Sequence, residues 1–115
     1  MSILIVGGGD IADNGIVPIV GGISVTHEDC DIRNYRQVEG LLKEYQPETV
    51  ICTAGVSHVS NVIDSNVDDW RQEIEVNLLG SYHVAKASAK LKVKNMIFFA
   101  SVAGLYGKPK HSGYS

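Results

Sequence analysis

The chain has 115 residues, of which 44% are hydrophobic and 20% are charged, and its net charge at pH 7 is −3. This composition excludes a disordered chain, the length suits one domain over residues 1–115, and the negative charge gives no reason to expect binding to nucleic acid or to an anionic membrane. No apolar run approaches the roughly 20 residues of a membrane helix, and the amino terminus lacks signal-peptide features. We expect a cytoplasmic protein with reduced, buried Cys30 and Cys52.

A short apolar run over residues 3–6, followed at once by three glycines, predicts a buried parallel strand that enters a tight turn. Gly7-x-Gly9-x-x-Ala12 matches the loose form of the dinucleotide fingerprint, in which small residues let the backbone approach a pyrophosphate at a helix amino terminus. An ordinary glycine turn after a strand is the competing interpretation.

Residues 10–22 contain several helix breakers, namely Asn14-Gly15, Pro18 and Gly21-Gly22. We therefore expect a short or kinked first helix, and a shortened first helix, second strand or both. Residues 23–27 alternate in polarity and predict a strand. Asp31 and Ile32 follow this strand, and one interpretation of the acidic residues here is that they cap the next helix.

A convincing amphipathic helix is predicted over residues 34–45. Asn34 can cap its amino terminus with Gln37 three residues on, and Pro47 prevents its continuation. Its apolar stripe has helical spacing and consists of Val38, Leu41, Leu42 and Tyr45.

The next strand is predicted over residues 49–53 and ends in Thr53-Ala54-Gly55. Small residues at the carboxyl end of a parallel strand let a flat ring or a ribose lie close to the backbone. His58 follows in a polar stretch, where the two interpretations are a solvated loop histidine and a catalytic residue.

The longest helix is predicted over residues 68–91. Asn77 lies beside its apolar stripe and must find polar partners, because an unsatisfied polar group costs about 1–3 kcal/mol. A bond to a neighbouring carbonyl is the plain expectation. The stripe consists of Trp70, Ile74, Leu78 and Tyr82.

A further buried strand is predicted over residues 95–100, followed by Ser101, a loop over residues 108–113, and Tyr114 at the start of another helix. The alternation of strands and helices predicts an α/β fold with a parallel, doubly wound sheet. Ligands of such sheets bind at the carboxyl ends of the strands, where Gly7, Gly9, Ala54, Gly55 and Ser101 are all expected.

Asn77, Ser101 and Tyr114, together with Thr53-Ala54-Gly55, resemble the short-chain dehydrogenase/reductase family. Ser101 and Tyr114 are thirteen positions apart, and Asn77 and Ser101 are twenty-four apart. The resemblance implies an incomplete Rossmann-like domain. In the family a Lys four residues after the Tyr completes the site, and position 118 lies beyond Ser115. We therefore expect a chain cut within this motif and inactive by itself.

The resemblance also implies the roles of the site residues. Tyr114 would be the acid/base, Ser101 would hold the substrate oxygen, and Asn77 would support the proton relay through a held water. Asp31 and Ile32 would lie beside the adenine, and Thr53 replaces an Asn of the family pattern. The implied cofactor-binding residues are Gly7, Gly9, Asp31, Ile32, Thr53, Ala54 and Gly55, and no metal ligand is implied.

These residues lead us to expect transfer of hydride between a nicotinamide cofactor and a small alcohol or carbonyl substrate, in a protein that forms a homo-oligomer. NAD is favoured and NADP remains open, because no Lys or Arg precedes Arg33 to hold a 2′-phosphate. Leu105-Tyr106-Gly107 also resembles the branch of sugar-nucleotide epimerases and dehydratases, which is the alternative enzyme. A non-catalytic nucleotide-binding module is the alternative outside enzymes.

Overall fold

The computed structural model describes residues 2–115 and places four strands of this part of the chain in one parallel sheet. The strands are β1 (Ile3–Val6), β2 (Ile23–Val25), β3 (Thr49–Cys52) and β4 (Asn95–Phe98). Their order is β2-β1-β3-β4, and every neighbouring pair is parallel. The predicted α/β class with a parallel sheet is confirmed.

The first helical region runs without a gap over residues 9–20 and is irregular, as the helix breakers predict. A π-helical turn over Ile11–Ile16 leads into α1 (Val17–Val20), which has only four residues. Pro18 lies in the first turn of α1, where a missing N–H costs least. β2 has only three residues, so the second strand is short, as one of the sequence expectations held.

The second helix, α2 (Tyr35–Tyr45), begins where the sequence predicts. The Asn34 side chain accepts hydrogen bonds from the backbone N–H groups of Arg36 and Gln37, at 3.1 and 3.2 Å. The Gln37 side chain does not return to Asn34, because it accepts the backbone N–H of Asp31 at 2.9 Å. Gln37 therefore fixes the loop before the helix.

A continuous helical stretch follows β3 and consists of α3 (Val67–Glu73), a π-helical turn (Ile74–Gly80) and α4 (Ser81–Lys90). A short 3₁₀ helix (Val102–Gly104) follows β4. No helix within residues 2–115 has the length and apolar character needed to cross a bilayer.

Two buried clusters lie on opposite faces of the sheet, because side chains alternate along each strand. Ile5 and Ile51 pack on one face with Ala12 of the first helical region. The other face packs against α2 and α4 in a larger cluster. Its members include Leu4, Val6, Val38, Leu42, Val50, Cys52, Val84 and Ala87. Helices on both faces make the sheet doubly wound.

The predicted apolar stripe of the long helix is wrong as a buried face. Trp70, Leu78 and Tyr82 are 44%, 63% and 56% exposed, whereas Gly80 is buried. A Cβ added at Gly80 would collide with Cδ1 of Ile32, so the missing side chain lets the helix pack closely. The buried positions of this stretch are Glu73, Gly80, Val84, Ala87 and Ser88.

The prediction that the last strand is buried is also wrong. All four residues of β4 are exposed. Because β4 is the edge strand, it pairs with β3 on one side only, and α4 contacts it without burying it. The apolar residues of this strand therefore lie at the surface of the described chain and not in its core.

Candidate functional site

The glycine turn after β1 touches the turn after β3. A Cβ added at Gly7 would collide with the backbone N of Ala54, so Gly7 allows the two backbones to meet. The Thr53 hydroxyl donates to the carbonyl oxygens of Val6 and Gly8, at 3.4 Å each. These contacts join the carboxyl ends of the two central strands into one platform.

Gly9 leaves open space beside this platform. It has a φ of +82°, and a Cβ built on it would meet no atom within 4 Å. A helical segment starts at this point, so backbone N–H groups are available for an anion. The turn therefore has the room and the donors that a pyrophosphate requires.

Asn77 fixes the segment that follows β3. Its side-chain oxygen accepts the backbone N–H of Val56 at 2.8 Å, and its nitrogen donates to the Val56 carbonyl at 2.7 Å. The expectation that Asn77 bonds a neighbouring carbonyl is confirmed. Asn77 lies inside the π-helical turn Ile74–Gly80, a type of turn that is frequent at functional sites.

One cavity of about 430 Å³ brings the three predicted catalytic residues together. Asn77, Ser101 and Tyr114 line it, and Thr53-Ala54-Gly55 form part of its wall. Ser101 precedes the 3₁₀ helix, and its hydroxyl oxygen accepts the N–H of Ala103 at 3.2 Å. That bond uses a lone pair of the oxygen and not the hydroxyl proton.

Tyr114 lies in a turn and is 36% exposed. The N–H of Ser115 donates to the carbonyl of His111 at 2.8 Å, which is a bond of helical spacing. A single bridge between Ser60 and His111 ties this loop to the segment after β3. The helix expected to open at Tyr114 is thus represented by this one bonded turn.

A second cavity of about 400 Å³ lies along the same edge of the sheet. Gly7, Asp31 and Ile32 line it, and it shares the wall of residues 54–56 with the first cavity. After the roles that the sequence predicts for their residues, we call the first the catalytic cavity and the second the nucleotide cavity. Two adjoining cavities over the carboxyl ends of parallel strands match the place where such sheets bind dinucleotides. The chain's own residues therefore fit a dinucleotide along this edge.

A family model described as the KR domain matches residues 19–115. The chain belongs to the short-chain dehydrogenase/reductase family. A 3-oxoacyl-[acyl-carrier-protein] reductase of Synechocystis sp. is 27% identical over 115 residues, which cover 90% of this chain and 46% of the relative. A UDP-glucose 4-epimerase of Homo sapiens is 31% identical over 106 residues, which cover 91% of this chain and 29% of the relative.

Solved members of the family share the fold. The structure of NAD⁺-bound xylitol dehydrogenase has a TM-score of 0.73 and 20% sequence identity, and the match covers 98% of this chain and 58% of that one. The chain spans less than half the length of the curated relatives that it matches first, from 21% to 46%.

Asp31 of this short-chain dehydrogenase/reductase is held by Arg33. The carboxylate accepts the backbone N–H of Arg33 at 3.0 Å and its Nη2 at 2.8 Å. The side-chain hydrogen bonds from Arg33 hold the pKa of Asp31 below its ordinary value. The interpretation of Asp31 as a helix cap is wrong, because Asn34 caps α2.

The remaining predicted site residues divide between the two cavities. Ile32 is buried, contacts Gly80, and lines the nucleotide cavity. Gly9 lines neither cavity. His58 lies half-buried in a loop, and its Nε2 is 2.9 Å from Oε1 of Gln72.

Sequence reasoning missed His27 and Arg33 as residues of the nucleotide cavity. The signal for His27 was its position two residues beyond β2, since other ligand-facing residues also follow strand ends. Arg33 was noted only as a charge, and its pairing with Asp31 has no sequence signature beyond their close spacing. Ser57, Ser81 and Phe99 were also missed in the catalytic cavity.

Proposed function

We propose that the chain carries the cofactor-binding and catalytic residues of an NAD(P)-dependent oxidoreductase that transfers hydride between a nicotinamide and an alcohol or carbonyl substrate. The observation that carries this proposal is the cavity lined together by Asn77, Ser101 and Tyr114, beside the nucleotide cavity. The single-domain assignment of residues 1–115 and the roles of these residues are part of the proposal.

Tyr114 exchanges a proton with the substrate oxygen in this proposal. The ordinary pKa of a Tyr is about 10, and a nearby cation favours the phenolate. In the family pattern a Lys at position 118 would be that cation. A bound nicotinamide supplies or accepts the hydride.

Ser101 and Asn77 position the reaction. The Ser101 hydroxyl proton is free to be donated to the substrate oxygen, since Oγ accepts the N–H of Ala103. Asn77 fixes the backbone of Val56 in the cavity wall and thereby supports the proton relay. We place the protein in the cytoplasm, where the buried, free Cys30 and Cys52 would stay reduced.

The proposed function is tested by two measurements on the protein. Fluorescence titration measures NADH binding, and absorbance at the nicotinamide band measures turnover against a panel of small alcohols and ketones. We expect saturable NADH binding by the 115-residue chain, and turnover of at least one substrate class in a chain that carries the family's Lys at position 118. Absence of NADH binding would contradict the proposal, whereas NADH binding without turnover of any substrate would favour a non-catalytic nucleotide-binding module.

We infer that NAD is preferred over NADP. Arg33 lines the nucleotide cavity, but its guanidinium pairs with Asp31 and lies 3.8 Å from a carboxylate oxygen of Glu75. A 2′-phosphate near this pair would meet two carboxylates as well as the guanidinium. Titration with NADH and NADPH tests the inference, which tighter NADPH binding would contradict.

The sugar-nucleotide branch is a second candidate function. The similarity to UDP-glucose 4-epimerase, at 31% identity over 91% of this chain, favours it. An epimerase of this kind would bind a UDP-sugar beside the nicotinamide. Saturable binding of UDP-glucose to the NADH-loaded protein, with interconversion of the two epimers, would select this candidate over a simple alcohol dehydrogenase.

A further inference from the structure

A third cavity, of about 350 Å³, lies beside the catalytic cavity and is used by none of the roles described above. Three segments of the chain line it: residues 57–60, residues from the loop and helix between Asp64 and Glu73, and Ser112 with Gly113. Ser57 lines both cavities, and Gly113 immediately precedes Tyr114. A molecule reacting at Tyr114 therefore has this recess next to it.

Glu73 is a buried carboxylate on the wall of this recess, with 1% exposure. Its Oε1 accepts the backbone N–H of His58 at 2.5 Å. Its Oε2 is buried and has no hydrogen-bond partner among the described residues. A Cβ added at Gly113 would collide with Oε2, so the absence of a side chain at position 113 leaves room for this oxygen.

The recess is acidic. Asp64 and Asp69 line it together with Glu73, and the one other titratable side chain in its wall is His58, whose ring is bonded to Gln72. Burying a carboxylate oxygen without a partner is costly, and a donor that brings positive charge offsets that cost. Within residues 2–115 no group of three or more His, Cys, Asp or Glu residues is arranged to hold a metal ion.

We propose that this recess binds the protonated primary amine of the substrate, with the ammonium group donating to Oε2 of Glu73. The substrate class is then an amino alcohol or the corresponding amino ketone, whose reacting carbon lies in the cavity of Ser101 and Tyr114. This assignment rests on the proposed function for the reaction, but the binding of the amine rests on the recess alone.

The first test compares two small molecules of equal size. Isothermal titration measures binding of 1-amino-2-propanol and of 1,2-propanediol to the protein without cofactor. We expect saturable binding of the amine only, weakened at least about tenfold in Glu73→Gln, because a hydrogen bond to a charged group is lost. Asp68→Asn is the control, since Asp68 is an exposed carboxylate of α3 outside the recess, and it should leave binding unchanged.

The second test keeps the proposal open to refutation if Glu73→Gln does not fold. Carbon-13 NMR of the wild-type protein labelled at its glutamate carboxyl groups should show one buried resonance that shifts with the amine and not with the diol. Equal binding of the two molecules, undiminished binding by Glu73→Gln, or no saturable binding of the amine would each overturn the proposal. NADH titration of the same samples separates this outcome from failure of the proposed oxidoreductase.

Discussion

Ser101 and Tyr114 reach one cavity from the two ends of a loop that contains few regular elements. Ser101 is held by its bond to Ala103 at the start of the 3₁₀ helix, and Tyr114 by the turn that His111 and Ser115 close. Each side chain is thus positioned by local bonds that the sequence between them provides. Substitutions at either residue should therefore affect chemistry more than folding.

In a chain that carries the family's Lys at position 118, Tyr114→Phe should lower turnover by about 10²–10⁴-fold, because general acid–base catalysis contributes that much. NADH affinity should change little, since the phenol oxygen is not part of the nucleotide cavity. Steady-state kinetics and fluorescence titration measure the two effects. Tyr106→Phe is the matched control, because Tyr106 is 75% exposed in the same loop and lines neither cavity. Undiminished turnover by Tyr114→Phe would reject the assignment.

Asp31→Asn should raise the affinity for NADPH relative to NADH by about fivefold, since two charges 4 Å apart in water interact by about 1 kcal/mol. The change removes one of the two carboxylates near the guanidinium of Arg33, so a 2′-phosphate there would meet Glu75 alone as a second negative charge. Because Arg33 lowers the pKa of Asp31, the wild-type preference for NADH should persist at mildly acidic pH. Glu28→Gln, at an exposed acid outside the cavity, is the control. An unchanged ratio of the two affinities would contradict this prediction.

The two cysteines should resist thiol reagents in the folded protein. Burial raises the pKa of the Cys52 thiol, and burial with the nearby Asp31 and Asp29 raises that of Cys30, both above an ordinary 9.0. The unfolded chain therefore loses these protons first, so stability is retained below about pH 9.0, the ordinary thiol pKa, and is lost as pH rises further. Reaction with a chromogenic disulfide at pH 7, before and after denaturation, is the measurement. Rapid reaction of either thiol without denaturant would contradict it.

Among the elements, α4 and the turn before it depend on close approach at Gly80. Ile32 occupies the space where a side chain at Gly80 would lie, and the carbonyl of Ile32 is 2.6 Å from Nδ1 of His83 on α4. Ile32, a residue of the nucleotide cavity, is therefore fixed by the continuous helical stretch that also carries Asn77. Packing and the site are coupled at this contact.

Gly80→Ala should destabilise the protein by about 1–3 kcal/mol, because a methyl group forced into a packed site displaces its neighbours. Gly40→Ala in α2 should stabilise it by roughly 1 kcal/mol, since a Cβ there meets no atom within 4 Å and Ala is the better helix former. Urea unfolding followed by circular dichroism measures both. The prediction is wrong if the two substitutions change the free energy of unfolding in the same direction.

The elements that the sequence predicted well carry local signals. The Asn34 cap and the periodic apolar stripe predict α2, and an apolar run before glycines predicts β1. Both signals depend only on residues that are close together in the chain. Which face of the long helix is buried depends on what packs against it. Gly80 and Ile32 are nearly fifty residues apart in the chain, so no local sequence pattern predicts their contact. For the site, the sequence predicts the small residues at the strand ends. It does not predict that Glu73 is buried, because a carboxylate is expected at the surface.

At the scale of the described chain, residues 2–115 present an exposed apolar edge strand. Met96, Ile97, Phe98 and Phe99 are 42%, 48%, 39% and 51% exposed, and no strand within residues 2–115 pairs with the outer side of β4. Unpaired apolar edge strands favour association. This surface supports the expected homo-oligomer, which remains a prediction.

Ile97→Lys should reduce association, because a charge on an edge strand opposes pairing with another chain. Light scattering over a range of concentrations should show wild-type association and a smaller species for the variant. Ile63→Lys is the control, since Ile63 is 94% exposed in a loop away from the edge. A wild-type chain that stays monomeric at every concentration, or an equal effect of both variants, would contradict the prediction.

The π-helical turn Ile74–Gly80 depends on its number of residues more than on the identity of its exposed side chains. The π-helical turn holds more residues per turn than the α-helices on either side, so deleting one residue here would return it to α-helical bonding and change the direction in which Asn77 points. Asn77 would then face away from Val56, and the pair of bonds between them would be lost together. Substitutions at exposed Leu78 or Leu79 leave this direction unchanged. Homologous chains should therefore vary in composition across this turn while keeping its residue number constant.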